Sequence, residues 1–288
     1  MSATSVPRAF NVGGGFIGSD RSAAKDSARK QDSQHSATSG YRDPALSPDG
    51  DKTTTTPLSD AQRKAHEQLV ADWNEQLESA TAEEILDWVH QHVAGAIAVT
   101  MSMQDTILAE LSEGRLERAE LVFLDTDYHF AETLHTRDQV NNRYSLPLIN
   151  VTPTLTRQQQ DQIYGKDLYK RNYTACCRMR KVEPLARMLD PYEAWITGVR
   201  RVDNALRAHT PVLEVDRTGR LKINPIVDWS DQQVEDYIQD HNLIINPLTT
   251  QGYPSIGCAT CTLPVAEGDD PRSGRWAGSN KTECGLHT

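Results

Sequence analysis

Five cysteines carry the strongest chemical signal in this sequence of 288 residues. Four of them form two close pairs, Cys176-Cys177 and Cys258-x-x-Cys261, which lie far apart in the chain. Four thiolates are the ligand set of a [4Fe–4S] cluster and also of a structural zinc site. Adjacent cysteines on a helix point about 100° apart, which is less usual for zinc. The spacing alone leaves cluster and zinc open, and unligated core cysteines are the simplest alternative.

The fifth cysteine, Cys284, lies near the C-terminus, between Lys281 and His287. Positive charge close to a thiol favours the thiolate, which is the nucleophilic form of cysteine. On a mobile tail, that sulfur would reach both a bound substrate and an external reductant. We therefore treat Cys284 as a candidate nucleophile, with an incidental thiol on a floppy terminus as the alternative.

Basic residues cluster near the cysteines although the chain as a whole is acidic. Lys and Arg number 30 against 40 Asp and Glu, giving a net charge of −10, which argues against a general nucleic-acid binder. The basic residues concerned are Arg178, Arg180, Lys181, Arg200, Arg201, Arg207, Arg272 and Arg275. Because guanidinium groups suit phosphate and sulfate oxygens, these runs predict a local anion pocket.

The remaining composition limits where the protein works and how it is divided. No window offers the ~18 apolar residues of a membrane helix, and the N-terminus lacks the pattern of a secretory signal. We expect a cytoplasmic protein whose cysteines bind metal or react, rather than form disulfides. Residues 1–57 are rich in Ser, Gly, Ala and Thr and predict a disordered tail. Residues 58–288 would form the folded domain.

Periodic patterns in this domain predict the elements that must position the cysteines. Helices are expected at 60–79, from the Thr81/Glu84 capping box, around 107–111, and at 130–142, 172–189 and 230–241. Strands are expected at 95–100, 121–126, 146–151 and 194–199, with a hairpin over 211–226. Strands that alternate with helices indicate an α/β fold with a mostly parallel sheet. The last 45 or so residues are expected to be irregular.

Four segments of the sequence match motifs of one enzyme family. They are Cys176–Leu185 (CCRMRKVEPL), Ala194–Arg201 (AWITGVRR), Gly252–Cys261 (GYPSIGCATC) and Glu283–His287 (ECGLH). Through them residues 60–288 resemble assimilatory adenylyl-sulfate (APS) reductases of the iron–sulfur type, in the PAPS/APS reductase family. The Cys-Cys and Cys-x-x-Cys set is typical of these enzymes and absent from typical PAPS reductases. The resemblance favours a [4Fe–4S] cluster over zinc.

The resemblance also implies a fold and a mechanism. The fold is a three-layer, adenine-nucleotide alpha hydrolase-like domain with a catalytic C-terminal tail over about 265–288. Cys284 would attack the sulfur of APS and release AMP; thioredoxin would then release sulfite, which feeds cysteine biosynthesis. The family assigns the cluster to Cys176, Cys177, Cys258 and Cys261, the phosphosulfate to Lys181, Arg207, Arg272, Arg275 and His287, and nucleotide contacts to Thr100 and Ser102. Lys181 would also couple the cluster electrostatically to the substrate.

Two departures from the family pattern bear on the nucleotide site. The family's Ser-x-Ser-Gly-containing loop is here the shorter Thr100–Asp105 (TMSMQD), and its Leu-Asp-Thr-Gly is here Leu124–Asp127 (LDTD). We interpret Asp125 and Asp127 as strand-end caps rather than metal ligands.

Three functions compete with APS reduction. A nucleotide-pyrophosphatase relative that adenylates with ATP would need a Ser-Gly-Gly-x-Asp-Ser-type loop, which residues 100–105 do not provide. A PAPS reductase is the second candidate, and a non-catalytic zinc module with four cysteine ligands is the third. A homo-oligomer is compatible with the sequence, which gives no further information on assembly.

Overall fold

Strands alternate with helices along most of the chain, as the periodic pattern predicts. A computed structural model describes residues 56–277, 281 and 283–286. Its strands are β1 (Ile97–Met101), β2 (Ala119–Leu124), β3 (Leu148–Val151), β4 (Ala194–Ile196), β5 (Leu213–Val215) and β6 (Leu221–Ile223). Its helices are α1 (Asp60–Leu77), α2 (Ala82–His92), α3 (Ile107–Ser112), α4 (Ala131–Arg143), α5 (Arg157–Tyr164), α6 (Leu168–Arg171), α7 (Tyr173–Cys177), α8 (Glu183–Met188) and α9 (Asp231–Asp240).

The six strands form one sheet in the order β3-β2-β1-β4-β6-β5. All neighbours are parallel except β5 and β6, which form the predicted antiparallel hairpin. From β1 the chain builds the sheet first towards β3 and then, from β4 onwards, on the other side. The carboxyl ends of β1, β2 and β4 therefore border a topological switch point, where open α/β sheets bind ligands.

Alternate residues of each strand pack on opposite faces of the sheet. On one face, Ile97 and Val99 join the core that contains Leu86 and Val89 of α2. On the other face, Ala98 belongs to a second core, which includes Val122, Trp195 and, from α8, Leu185 and Met188. Helices thus cover both faces, which confirms the three-layer, mostly parallel α/β fold. None of the helices in the described part of the chain has the length and hydropathy that a bilayer crossing requires.

The sequence prediction missed two features. The helix predicted over 172–189 is present from Tyr173 to Met188, but it runs as α7, a π-helical turn at Arg178–Val182 and α8. The sequence does not predict helices α5 and α6, because α5 (RQQQDQIY) is almost entirely polar and buries only Gln160. Residues 1–55 of the predicted disordered tail lie outside the described residues, so that prediction is not tested.

Both departures from the family's glycine-containing loops fall on left-handed backbone. Met103, which follows Ser102 at the end of β1, has φ 61°, and Asp127, which follows β2, has φ 59°. The chain therefore keeps the conformation that glycine adopts most easily, at a cost of roughly 1–2 kcal/mol for a residue with a Cβ. Met103 is fully buried, and Asp127 accepts a 2.8 Å hydrogen bond from Arg180 Nη1. These contacts stabilise residues other than glycine at both positions.

The Asp127–Arg180 ion pair generates a prediction about stability. Arg180 is only 2% exposed, so Asp127→Asn, which tolerates the same φ, would leave a buried guanidinium without its counter-ion. We expect the free energy of unfolding to fall by about 1–3 kcal/mol, measured by urea denaturation. Asp167→Asn is the matched control, because Asp167 has φ 55° and pairs with Lys170, but both side chains are at least half exposed. Equal losses in the two variants would contradict this account.

Candidate active site

A pocket beside the sheet brings four of the five cysteines together. Cys176 and Cys177 end α7, Cys258 precedes a 3-10 turn at Ala259–Cys261, and Cys261 is the last residue of that turn. The other residues that line this cysteine pocket are Tyr128, Tyr169, Tyr173, Arg180, Lys181, Thr260, Arg275 and Trp276. Cys284 instead lines a second, larger cavity. The fold thus separates the four paired cysteines from the single one, as the sequence pattern predicts.

Hydrogen bonds hold the Cys258–Cys261 turn against the sheet. The backbone N–H of Ala259 donates to the carbonyl of Tyr128, at 2.7 Å, in the segment after β2. The hydroxyl of Thr126 lies 3.3 Å from the sulfur of Cys258. The backbone N–H of Trp276 donates to the carbonyl of Cys261 at 3.0 Å. The turn is therefore fixed both to the end of β2 and to the segment that leads into the tail.

The π-helical turn at Arg178–Val182 connects the first cysteine pair to its cationic neighbours. A wider turn of this kind is rare and occurs often at functional sites. Cys176, Cys177, Arg180 and Lys181 all line the cysteine pocket, so one side of this irregular helix presents two thiols and two cations. Arg180 is held there by Asp127 and by Gln160, whose side-chain oxygen accepts from Arg180 Nε at 2.7 Å.

The cysteine pocket disfavours bare thiolates. Burial, followed by the charges of Cys177, Cys258 and Cys261, raises the pKa of Cys176 to about 12. Burial also raises the pKa of Cys177 and that of Cys261. Four thiolates would coexist here only around a positive centre, which is what a metal cluster provides. The donor set of four cysteine sulfurs fits a [4Fe–4S] cluster.

A single metal ion and a cluster place different demands on four thiolates. Among residues 56–277, 281 and 283–286, no group of three or more His, Cys, Asp or Glu side chains is arranged to hold a metal ion. A [4Fe–4S] cluster is a larger centre that takes its four thiolates on four irons, so its ligands stand further apart than those of one zinc ion.

A cavity of about 620 Å³ opens at the carboxyl ends of β1, β2 and β4. This volume is typical of small-molecule sites. Its lining combines the predicted site residues with an apolar floor: Thr100, Ser102, Lys181, Arg207, Arg272, Arg275 and Cys284 occur beside Ile107, Leu108, Phe123, Leu185, Trp195 and Ile226. We call it the switch-point cavity. A flat aromatic group would pack on the apolar side chains while an anion meets the cations.

Lys181, Arg275 and Trp276 line both the cysteine pocket and the switch-point cavity. Burial alone would lower the pKa of Lys181, but the charges of Cys258, Cys284 and Cys177 outweigh it, and the pKa is raised. Burial lowers the pKa of Arg275, and Arg272 adds to this effect. The wall between the two sites is therefore positively charged and interacts with thiolates on both sides.

Two arginines of the switch-point cavity have polar atoms available for a ligand. Arg200 Nη1 and Arg275 Nε are buried and have no hydrogen-bond partner among the described residues. A buried N–H group without a partner costs about 1–3 kcal/mol, which an anionic ligand would recover. Arg275 is held in place by Ser255, whose hydroxyl accepts from Nη1 at 3.1 Å.

The described residues near the C-terminus contribute Glu283, Cys284 and Leu286 to the lining of this cavity. Arg275 forms an isolated bridge with Thr262, and a Cβ at Gly274 would lie 2.2 Å from the carbonyl oxygen of Leu263, so only glycine fits there. Cys284 is half-buried, and Leu286 packs against the second core. The tail segment around Cys284 is therefore in contact with the body of the domain.

The structure places most predicted site residues in one region, and it shows some that sequence reasoning missed. Thr100 and Ser102 line the cavity, although the Thr100 hydroxyl donates to the Ile196 carbonyl at 2.9 Å. His287 lies outside the described residues, so its predicted role is not tested. Sequence analysis assigned no role to His129, Asp105 or Glu283, which also line the cavity. The position of His129 and Asp105 after strands, and that of Glu283 within the ECGLH motif, could have indicated them.

Comparison with known proteins identifies the family. The chain matches the family described as Phosphoadenosine phosphosulfate reductase domain over residues 95–264. The chain belongs to this family. Its members include proteins named adenosine 5'-phosphosulfate reductase from Mycolicibacterium smegmatis, 48% identical over 213 residues (74% of this chain, 90% of the relative), and from Mycobacteroides abscessus, 45% identical over 237 residues (82% and 98%). The family resemblance drawn from the motifs is confirmed.

A solved structure supports the same assignment of fold. The phosphoadenylyl-sulfate (PAPS) reductase from Candida auris, solved as a phosphate complex, matches with a TM-score of 0.59 at 25% identity. The match covers 73% of this chain and 100% of that chain. The adenine-nucleotide alpha hydrolase-like fold expected for a member of the reductase family is confirmed.

The position of Lys181 between the two sites generates a prediction about anion binding. Lys181→Met removes a half-buried charge from the cavity wall, so we expect AMP to bind about tenfold more weakly, as measured by calorimetric titration. Lys170→Met is the control, because Lys170 is exposed on α6 and pairs with Asp167 at 2.9 Å. Unchanged affinity in the Lys181 variant would show that this side chain does not act on the ligand.

Proposed function

We propose that this protein is an assimilatory APS reductase that takes electrons from thioredoxin. The observation that carries the proposal is the separation of the cysteines, four in one pocket and Cys284 alone in the adjoining anion cavity. The names of the mycobacterial relatives supply the substrate, adenosine 5'-phosphosulfate. Sulfite and AMP are the products, and a cytoplasmic location would keep the thiols reduced.

The first step of the proposed reaction transfers the sulfonyl group to the tail. The thiolate of Cys284 attacks the sulfur of APS and forms an S–S bond. The bond between that sulfur and the bridging oxygen breaks, and AMP leaves with the electron pair. Lys181, Arg272 and Arg275 line the cavity and would neutralise the charge that develops on the leaving phosphate. His287 is expected to assist by the family resemblance.

The second step releases sulfite. A thiolate of reduced thioredoxin attacks the sulfur of Cys284, the S–SO3 bond breaks, and sulfite leaves with the electron pair. The second thioredoxin thiol then attacks the mixed disulfide and restores Cys284. Two thiols are oxidised to a disulfide, and the sulfonyl sulfur gains two electrons. The balance therefore needs no electron from another centre.

Cys176, Cys177, Cys258 and Cys261 would hold the [4Fe–4S] cluster. When bound, the cluster would supply a fixed charged centre next to Lys181, and thioredoxin rather than the cluster would deliver the electrons. The raised pKa of Cys176 supports a positive centre at this site, since free thiols would otherwise stay protonated. The π-helical turn keeps Lys181 on the wall that both sites share.

Measurements on the purified wild-type protein test two competing functions. A PAPS reductase would share the fold, and the matching solved structure is such an enzyme; preference for PAPS in paired assays would refute the substrate proposal. A non-catalytic zinc module would explain the four cysteines, but it gives no role to the cavity or to Cys284.

The proposed nucleophile generates a prediction about activity. Cys284→Ser keeps the size of the side chain and removes the thiolate, so we expect thioredoxin-dependent sulfite release to fall by roughly a thousandfold or more. The iron content should stay unchanged, because Cys284 lies outside the cysteine pocket. Sulfite release at the wild-type rate would overturn the assignment of Cys284.

The proposed cluster generates a prediction about metal content. Anaerobically purified protein should contain about four irons and four sulfides per chain, and Cys177→Ser should lose most of them. The matched control is Cys284→Ser, which should retain both. A colourless wild-type protein with zinc and neither iron nor sulfide would favour the zinc module.

A further inference from the structure

The carboxylate of Glu283, immediately before Cys284, is held by two arginines of the cavity and by Asn204. Arg207 donates to both of its oxygens, from Nε at 2.8 Å and from Nη2 at 2.9 Å. Asn204 Nδ2 donates to it at 3.3 Å, and Arg272 Nη2 lies 3.5 Å away. The side chains of Arg207 and Glu283 are only 13% and 12% exposed, so solvent screens this pair weakly.

A second contact anchors the tail on the other side of Cys284. Leu286 packs against the core that contains Leu185 and Trp195, and it lines the switch-point cavity together with them. Cys284 therefore lies between an ion pair one residue before it and an apolar contact two residues after it. Two anchors so close in the chain restrict where the sulfur can lie.

We propose that Glu283 is a positioning residue, which docks the tail on Arg207 so that Cys284 faces the switch-point cavity. This inference rests on the proposed function, in which Cys284 is the nucleophile. It gives Arg207 a role in addition to the phosphosulfate contact that the family resemblance implies. Arg207 acts through Glu283 on the position of the sulfur.

The hydrogen bonds of Arg207 support its role in docking the tail. Its third nitrogen, Nη1, donates to Asp203 at 3.2 Å, so carboxylates engage all three of its nitrogens. Arg275, by contrast, keeps a buried Nε without a partner among the described residues. Lys181 and Arg275 on the cavity wall would meet an incoming phosphosulfate. The bidentate geometry also fixes orientation, which one point charge would not do.

The test uses Glu283→Gln in the full-length, iron-loaded protein and has two readouts that move in opposite directions. With the tail undocked, single-turnover formation of the S-sulfonate from APS should slow about ten- to a hundredfold, because the sulfur no longer rests at the cavity. Alkylation of Cys284 by iodoacetamide, followed by peptide mass spectrometry, should become several-fold faster, since the half-buried thiol is released. Glu75→Gln is the matched control, because Glu75 is an exposed carboxylate on α1 that does not line the cavity, and both rates should stay at the wild-type value.

A double-mutant cycle with Arg207→Met tests whether the pair acts as a unit. Arg207→Met should slow S-sulfonate formation to a similar degree, and the double variant should be no slower than the worse single variant. Additive effects would show that the two residues act separately, and a Glu283→Gln variant with unchanged rates would show that the carboxylate does not dock the tail.

If the proposed function is wrong, the results differ from those expected if only the docking role of Glu283 is wrong. If the wild-type protein forms no S-sulfonate from APS, the reaction assignment is wrong, and the alkylation rates alone decide whether Glu283 docks the tail. Retained iron in every variant excludes unfolding as the cause of either effect.

Discussion

The wall of positive charge between the cysteine pocket and the switch-point cavity is the feature on which the rest of the site depends. Lys181 and Arg275 line both spaces, and the pKa of Lys181 is raised by the charges of Cys258, Cys284 and Cys177, although burial alone would lower it. An anionic substrate and a set of four thiolates would each be unstable in partly buried surroundings alone. Opposite sides of one cationic wall stabilise both, which explains why a cysteine centre adjoins a nucleotide-sized cavity.

The fold supplies this arrangement through the ends of its strands. The segments after β1 and β2 form the cavity rim, and the β2 segment also carries Tyr128, whose carbonyl fixes the Cys258–Cys261 turn. The π-helical turn after α7 places Lys181 on the wall and Arg180 in the cysteine pocket. The tail then returns across the cavity, held at Glu283 and Leu286. The same few segments thus position the proposed metal ligands, the proposed anion site and the proposed nucleophile.

The sequence predicted the α/β alternation, the hairpin, the capped helices and the grouping of the cysteines, because these depend on local periodicity and short motifs. It missed the π-helical turn, since a one-residue change in register leaves the apolar pattern nearly intact. It missed α5, which has few apolar residues, although the Thr156/Gln159 capping box that begins this helix could be read from the sequence. The Glu283–Arg207 contact joins residues far apart in the chain, and no spacing rule connects them. Met103 and Asp127 showed as departures from a family pattern, but only their φ angles explain how the loops retain their shape.

The central claim is that Cys284 alone accepts the sulfonyl group while the other four cysteines stay bound in their pocket. The direct measurement mixes the iron-loaded protein with APS in the absence of reductant, quenches the mixture rapidly and maps the added mass by peptide mass spectrometry. The account predicts the mass of one SO3 group on the peptide that contains Cys284, and its loss as sulfite when reduced thioredoxin is added. The added mass on Cys176, Cys177, Cys258 or Cys261, or AMP release with no covalent adduct, would contradict it.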